Sequence, residues 1–84
     1  MNWFVYIAKS RFSHYYTGIT KDVEERIKSH NVGNGSQMAK QQGPFKLMYK
    51  SVAYMNKSTA RKREIQIKKW TRLKKDKLIR GEWK

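Results

Sequence analysis

Trp3-Phe4-Val5-Tyr6-Ile7-Ala8 and, after a short polar gap, Tyr15-Tyr16-Thr17-Gly18-Ile19 are the stretches whose reading decides the fold. Both are dense in β-branched and aromatic residues, which suit a pleated and partly buried surface, so both read as strands. The intervening Lys9-Ser10-Arg11-Phe12-Ser13-His14 is short and polar enough for a hairpin connection, so the pair is expected to be antiparallel. In such a hairpin Tyr6 and Tyr16 can share a face, and Gly18 follows Tyr16 on that face. A glycine inside a strand marks a place where another backbone or a ligand comes close. Taken alone, two strand tyrosines are more often core residues with satisfied hydroxyls than parts of a site.

Outward from the hairpin, Thr20-Lys21-Asp22-Val23-Glu24-Glu25 carries helix-start chemistry. Asp22 and Glu25 have capping-box spacing, and acidic residues gather in the first turn. The helix is expected to run to about Asn31, where Asn31-Val32-Gly33-Asn34-Gly35-Ser36 breaks it, and the polar stretch to Gly43-Pro44 reads as loop. Residues 45–52, Phe45-Lys46-Leu47-Met48-Tyr49-Lys50-Ser51-Val52, alternate apolar with polar over much of their length and supply a third strand. Ser58 or Thr59 is expected to cap a helix through Ala60, Ile65, Ile67 and Trp70, and Thr71 a last helix with Leu73, Leu78 and Ile79. The order β-β-α-β-α-α points to an α+β fold in which helices cover one face of a sheet. Trp70 is expected in the core and Trp83, beside the terminal Lys84, loosely held. With 84 residues there is room for one core, so residues 1–84 are expected to form a single domain.

Charge narrows the function. Twenty Lys and Arg against six Asp and Glu give a formal +14. A surface so basic needs a polyanion, and phosphate backbones offer one because each neutralised phosphate releases condensed counterions. Residues 57–80 hold eleven basic and two acidic side chains, so +9 of the +14 lies there, and Lys68, Lys69 and Arg72 are the expected nucleic-acid contacts. Anionic lipid is the competing polyanion, but the apolar residues of this segment look committed to a core. Neither a signal-peptide pattern nor an apolar run of membrane-spanning length occurs, so a cytoplasmic protein without membrane attachment is expected. The absence of cysteine excludes disulfides and thiolate zinc sites.

Three further side chains carry chemistry. Arg26 and His30 stand four apart on the first helix beside an apolar stripe of Val23 and Ile27. Arg offers a planar donor fork for phosphate oxygens, and His exchanges a proton near neutral pH, although the same pair also occurs as ordinary helix surface. Glu64 is the only acidic residue from Lys57 through Lys75 and falls on the helical row of Ala60 and Ile67. A carboxylate projecting with an apolar stripe needs a partner: an ion pair with Arg61 or Lys68, or a bound cation. A hard cation such as Mg²⁺ is content with one carboxylate plus water and phosphate oxygens.

Phe4-Val5-Tyr6, then Tyr16-Thr17-Gly18 ten residues on, then Arg26 and His30, then Glu64, resembles the GIY-YIG nuclease pattern in order and spacing. The text around these residues is similar to the short stand-alone bacterial members, from Trp3 to about Ile79. Phe-Val-Tyr stands for Gly-Ile-Tyr, and Thr17 for an isoleucine. The resemblance implies a three-stranded antiparallel sheet flanked by helices. It implies that Tyr6 helps activate the attacking water, Tyr16 organises the phosphate site, Arg26 holds the scissile phosphate, His30 assists proton transfer and Glu64 binds a single Mg²⁺ or Mn²⁺. Since an unperturbed phenol has a pKa of about 10, Tyr6 could act as a base only beside cations. The expected function is metal-dependent endonucleolytic hydrolysis of DNA, with DNA repair as the expected setting and low sequence specificity for want of a second recognition domain. The alternative is a non-catalytic basic module that binds DNA or structured RNA.

Overall fold

The computed structural model describes residues 2–31 and 43–82, apart from the side chain of His30. Two strands, β1 (Phe4–Lys9) and β2 (Tyr15–Thr20), form the expected antiparallel hairpin, with Tyr6 opposite Gly18 and Ala8 opposite Tyr16. Ser10 closes its turn: its hydroxyl accepts from the Phe12 and His14 amides at 3.2 Å, and Ser13 adopts φ 66°. Helix α1 (Val23–Asn31) starts where expected, with the Glu25 amide donating to Asp22 Oδ1 at 3.1 Å. Strand β3 (Lys46–Lys50) then pairs antiparallel with β1, giving the order β2-β1-β3. Helices α2 (Lys57–Lys68) and α3 (Arg72–Ile79) complete the β-β-α-β-α-α, α+β fold.

Helices cover both faces of the sheet, where one covered face was expected. Val5, Tyr6, Ile7 and Ala8 are buried in succession, so neither side of β1 can be left to water. Val5 and Ile7 pack with Ala60, Ile67 and Leu78 of α2 and α3, while Tyr6 and Ala8 pack with Val23 of α1 and with Phe45. A β-bulge makes this possible in β3. Ile7 pairs with Tyr49 but Ala8 with Leu47, so Met48 is the extra residue. Regular pleating would put Leu47 and Tyr49 on one face; the bulge sends Leu47 to the α1 side and Tyr49 to the α2–α3 side.

Local bonds set the ends of the elements. The Asn31 amide group bridges α1 to β3, accepting from the Phe45 amide at 2.6 Å and donating to its carbonyl at 3.1 Å. One residue after β3 ends, the Ser51 amide still donates to the Val5 carbonyl at 2.8 Å, while the Ser51 hydroxyl accepts from the Val5 amide at 2.9 Å in place of a backbone carbonyl. Asn56 caps α2, its Oδ1 accepting from the Thr59 amide at 2.8 Å, so Ser58 and Thr59 lie inside the helix they were expected to cap. Thr71 caps α3 as expected, and Trp70 packs against the core from the link between α2 and α3. The loop after Asn31 and Trp83 lie outside the described residues. Among the described residues no helix is long and apolar enough to cross a membrane.

Candidate nuclease site

Of the two edge strands of the sheet, β2 borders a cleft of about 520 Å³, which is lined also by residues of α1 and α2. Tyr6, Tyr16, Gly18, Arg26 and Glu64 all line it, as does Lys68. These residues come from four elements, and a different constraint places each.

Tyr6 points to the α1 side of β1 because the pleat alternates, and its ring crosses the paired strand directly over Gly18. A Cβ at position 18 would lie 2.7 Å from the Tyr6 hydroxyl and 2.9 Å from Cζ. The close approach expected at this glycine is therefore made by the phenol itself. Tyr16 sits diagonally across the pair on the same face, held edge-on to Phe45 at 5.4 Å between ring centroids. Arg26 is exposed on α1, one turn beyond the Asp22 cap, with the apolar stripe of Val23 and Ile27 seating that helix. His30 lies in the same helix, one turn further on; its side chain is outside the described residues.

Glu64 shares the buried row of α2 with Ala60 and Ile67 and is only 6% exposed. Both expected ion-pair partners approach it: Lys68 Nζ lies 3.5 Å from Oε2 and Arg61 Nη1 lies 3.8 Å from Oε1. At 3.8 Å the guanidinium attracts but does not hydrogen-bond, and Oε1 is a buried acceptor without a hydrogen-bond donor. Thr17 Oγ1, also in the cleft wall, is a second buried oxygen in that condition. Two unsatisfied oxygens lining one cleft suit a hard cation, which takes carboxylate, hydroxyl, water and phosphate oxygens. Among the described residues no three His, Cys, Asp or Glu side chains gather, so a cation here would rest on the single carboxylate, with solvent and substrate completing its shell.

The cleft is electropositive. Arg26, Arg61, Lys68 and Lys75 line it, and among the described residues Glu64 is its only carboxylate. Tyr15 stands at its margin, its hydroxyl donating to Asp76 Oδ1 at 2.5 Å. That hydrogen bond, then burial, holds the Tyr15 phenol above its ordinary pKa, while the Arg72 guanidinium stacked 3.9 Å over the ring pulls the other way. Arg72 also donates to the Ser13 carbonyl, so it ties α3 to the hairpin as well as adding charge. Lys69 is exposed at the carboxyl end of α2, away from the cleft lining. Sequence reasoning passed over Thr17, Arg61 as a wall of the cleft, and Lys75. The available signal was the β2 alternation, which sends Thr17 toward the helix that carries Glu64.

A small α+β domain with a basic, tyrosine-lined cleft around one buried carboxylate has a nuclease-type fold. The model of the GIY-YIG catalytic domain matches residues 2–77, and the chain belongs to the GIY-YIG family. UPF0213 proteins of Staphylococcus aureus strains Mu3 and N315 are each 46% identical over 77 residues, spanning 92% of this chain and 93% of theirs. The solution structure of a UPF0213 protein from Bacillus halodurans is 38% identical, with a TM-score of 0.58, and covers 94% of this chain and 83% of that one. These relatives are short stand-alone members of the family.

Proposed function

We propose that this protein is a metal-dependent endonuclease that hydrolyses phosphodiester bonds in DNA with little sequence preference. The observation that carries the reading is the meeting of Tyr6, Tyr16, Gly18, Arg26 and Glu64 in one basic cleft, drawn from β1, β2, α1 and α2. A water oxygen that Tyr6 helps to activate attacks phosphorus, its proton passes to the His30 imidazole, and the bond from phosphorus to the leaving oxygen breaks. Arg26 holds the non-bridging oxygens and stabilises the charge that grows on them, and Tyr16 orients the same phosphate. Glu64, with Thr17 in the wall of the same cleft, would hold Mg²⁺ or Mn²⁺, which when bound supplies a Lewis acid for the leaving oxygen. Lys68, Lys69 and Arg72 contact the flanking backbone. The cleft's cations address phosphates rather than base edges, which favours low sequence specificity.

Incubation of the purified protein with labelled duplex, single-stranded and branched DNA in Mg²⁺ or Mn²⁺ tests the reading. Cleavage is expected, and cleavage that persists unchanged in Glu64→Ala would refute the metal role. The double ion pairing of Glu64 favours a second reading, in which Arg61 and Lys68 satisfy the carboxylate permanently and the domain binds nucleic acid without turnover. Salt-sensitive binding with no product on any substrate, in either metal, would select it.

A further inference from the structure

A second groove of about 490 Å³ adjoins the cleft and shares Ile19, Arg26 and Arg61 with it. Trp3 lines it, with Lys21 Nζ 5.2 Å and Lys57 Nζ 5.3 Å from the ring centroid. The indole is held at the start of β1, where the Trp3 amide donates to the Tyr54 carbonyl at 2.7 Å and the Tyr54 amide returns the bond at 2.8 Å. Among the described residues no acidic side chain lines the groove, and no carboxylate pairs with Lys21, Arg26 or Lys57. Four cations thus surround one anchored aromatic surface, continuous with the cleft at Arg26 and Arg61.

We propose that this groove is a second substrate subsite, which takes an unpaired nucleotide flanking the scissile phosphate, with its base against Trp3 and its phosphates on Lys21 and Lys57. Bases in a duplex present only edges, so an aromatic surface is useful to a strand whose bases are unstacked, and a cationic groove with such a surface is how single strands are held. The two ammonium groups rest over the ring by cation–π attraction and, on flexible four-carbon stems, can swing to incoming phosphates. The volume falls within the range of ligand pockets. The inference rests on the nuclease reading for the identity of the ligand, and it adds that the substrate is unpaired beside the cut.

Fluorescence anisotropy separates the two ideas because it is done in chelator, where hydrolysis is not needed. A short single-stranded DNA and the blunt duplex of the same sequence are titrated against wild type across a salt series. Lys21→Ala/Lys57→Ala is expected to flatten the slope of log affinity against log salt for the single strand by about 1.4, the loss of two phosphate contacts at roughly 0.7 each. The blunt duplex should be affected less. Trp3→Leu, which keeps apolar packing on the core, is expected to weaken single-strand binding by between about five- and 150-fold, and Trp3→Phe by less. The charge-matched control Lys28→Ala/Lys46→Ala removes exposed lysines outside both cavities. Equal effects of the two double variants, or folded Trp3→Leu binding like wild type, would overturn the proposal even if the protein cuts DNA. Lack of cleavage with these preferences intact would instead count against the hydrolase reading alone.

Discussion

Gly18→Ala should damage both stability and catalysis, through one contact. The added Cβ would lie 2.7, 2.9 and 3.0 Å from the hydroxyl, Cζ and Cε1 of Tyr6. Ordinary carbon contacts need about 3.5–4.0 Å, so the ring must withdraw by about 0.5–1 Å. It has little room to do so: Tyr6 is 6% exposed and packs with Val23 and Phe45. Overpacking of this kind costs about 1–3 kcal/mol, and each kcal/mol lowers the Tm of a domain this size by about 4–8 °C. A reacting group displaced by about 1 Å loses on the order of 100-fold in rate. Thermal melts followed by circular dichroism and single-turnover cleavage of labelled DNA read the two effects. Tyr6→Phe in the Gly18→Ala background removes the shortest contact but leaves the two ring contacts, so part of the stability should return while cleavage does not. A Gly18→Ala protein with unchanged Tm and cleavage rate would refute the reasoning.

Glu64→Gln keeps the shape but removes the charge, and should abolish Mg²⁺-stimulated cleavage with little change in Tm, because the Arg61 and Lys68 side chains are 56% and 54% exposed and return to water. Arg26→Ala should slow cleavage by about 100- to 1,000-fold, the usual cost of one preorganised donor, and leave the melting curve in place because Arg26 is exposed. Tyr15→Phe should destabilise the fold by roughly 1–2 kcal/mol through loss of its hydrogen bond to Asp76, read in urea titrations at neutral pH. Because the folded state holds that phenol above its ordinary pKa, its contribution is complete below about pH 10 and is lost as pH rises through the raised value. Wild type should therefore lose stability in the alkaline range more steeply than Tyr15→Phe, and parallel alkaline profiles would contradict that linkage.

The amino-acid sequence alone determined the elements and their order, because these follow from local spacing. Two runs rich in β-branched and aromatic residues around a short polar gap read as a hairpin, Asp22 and Thr71 are placed to cap helices, and the row of Ala60, Glu64 and Ile67 follows from the helical period. That row was enough to mark Glu64 as a carboxylate in need of a partner. The order of tyrosine, tyrosine and glycine, arginine and histidine, and glutamate was legible in the same way, as was the family it resembles. Only the tertiary structure decided what meets what. The second helical layer, the bulge at Met48 that splits Leu47 from Tyr49, and the cap at Asn56 depend on packing between segments distant in the chain. So does the site: Gly18 is required by the Tyr6 ring, a partner twelve residues away in the chain, and Thr17 enters the cleft wall because β2 is an edge strand flanked by α2. A period of two or 3.6 residues says which side chains share a face; which face they then confront is set by the burial that several segments achieve together, and no single segment carries that information.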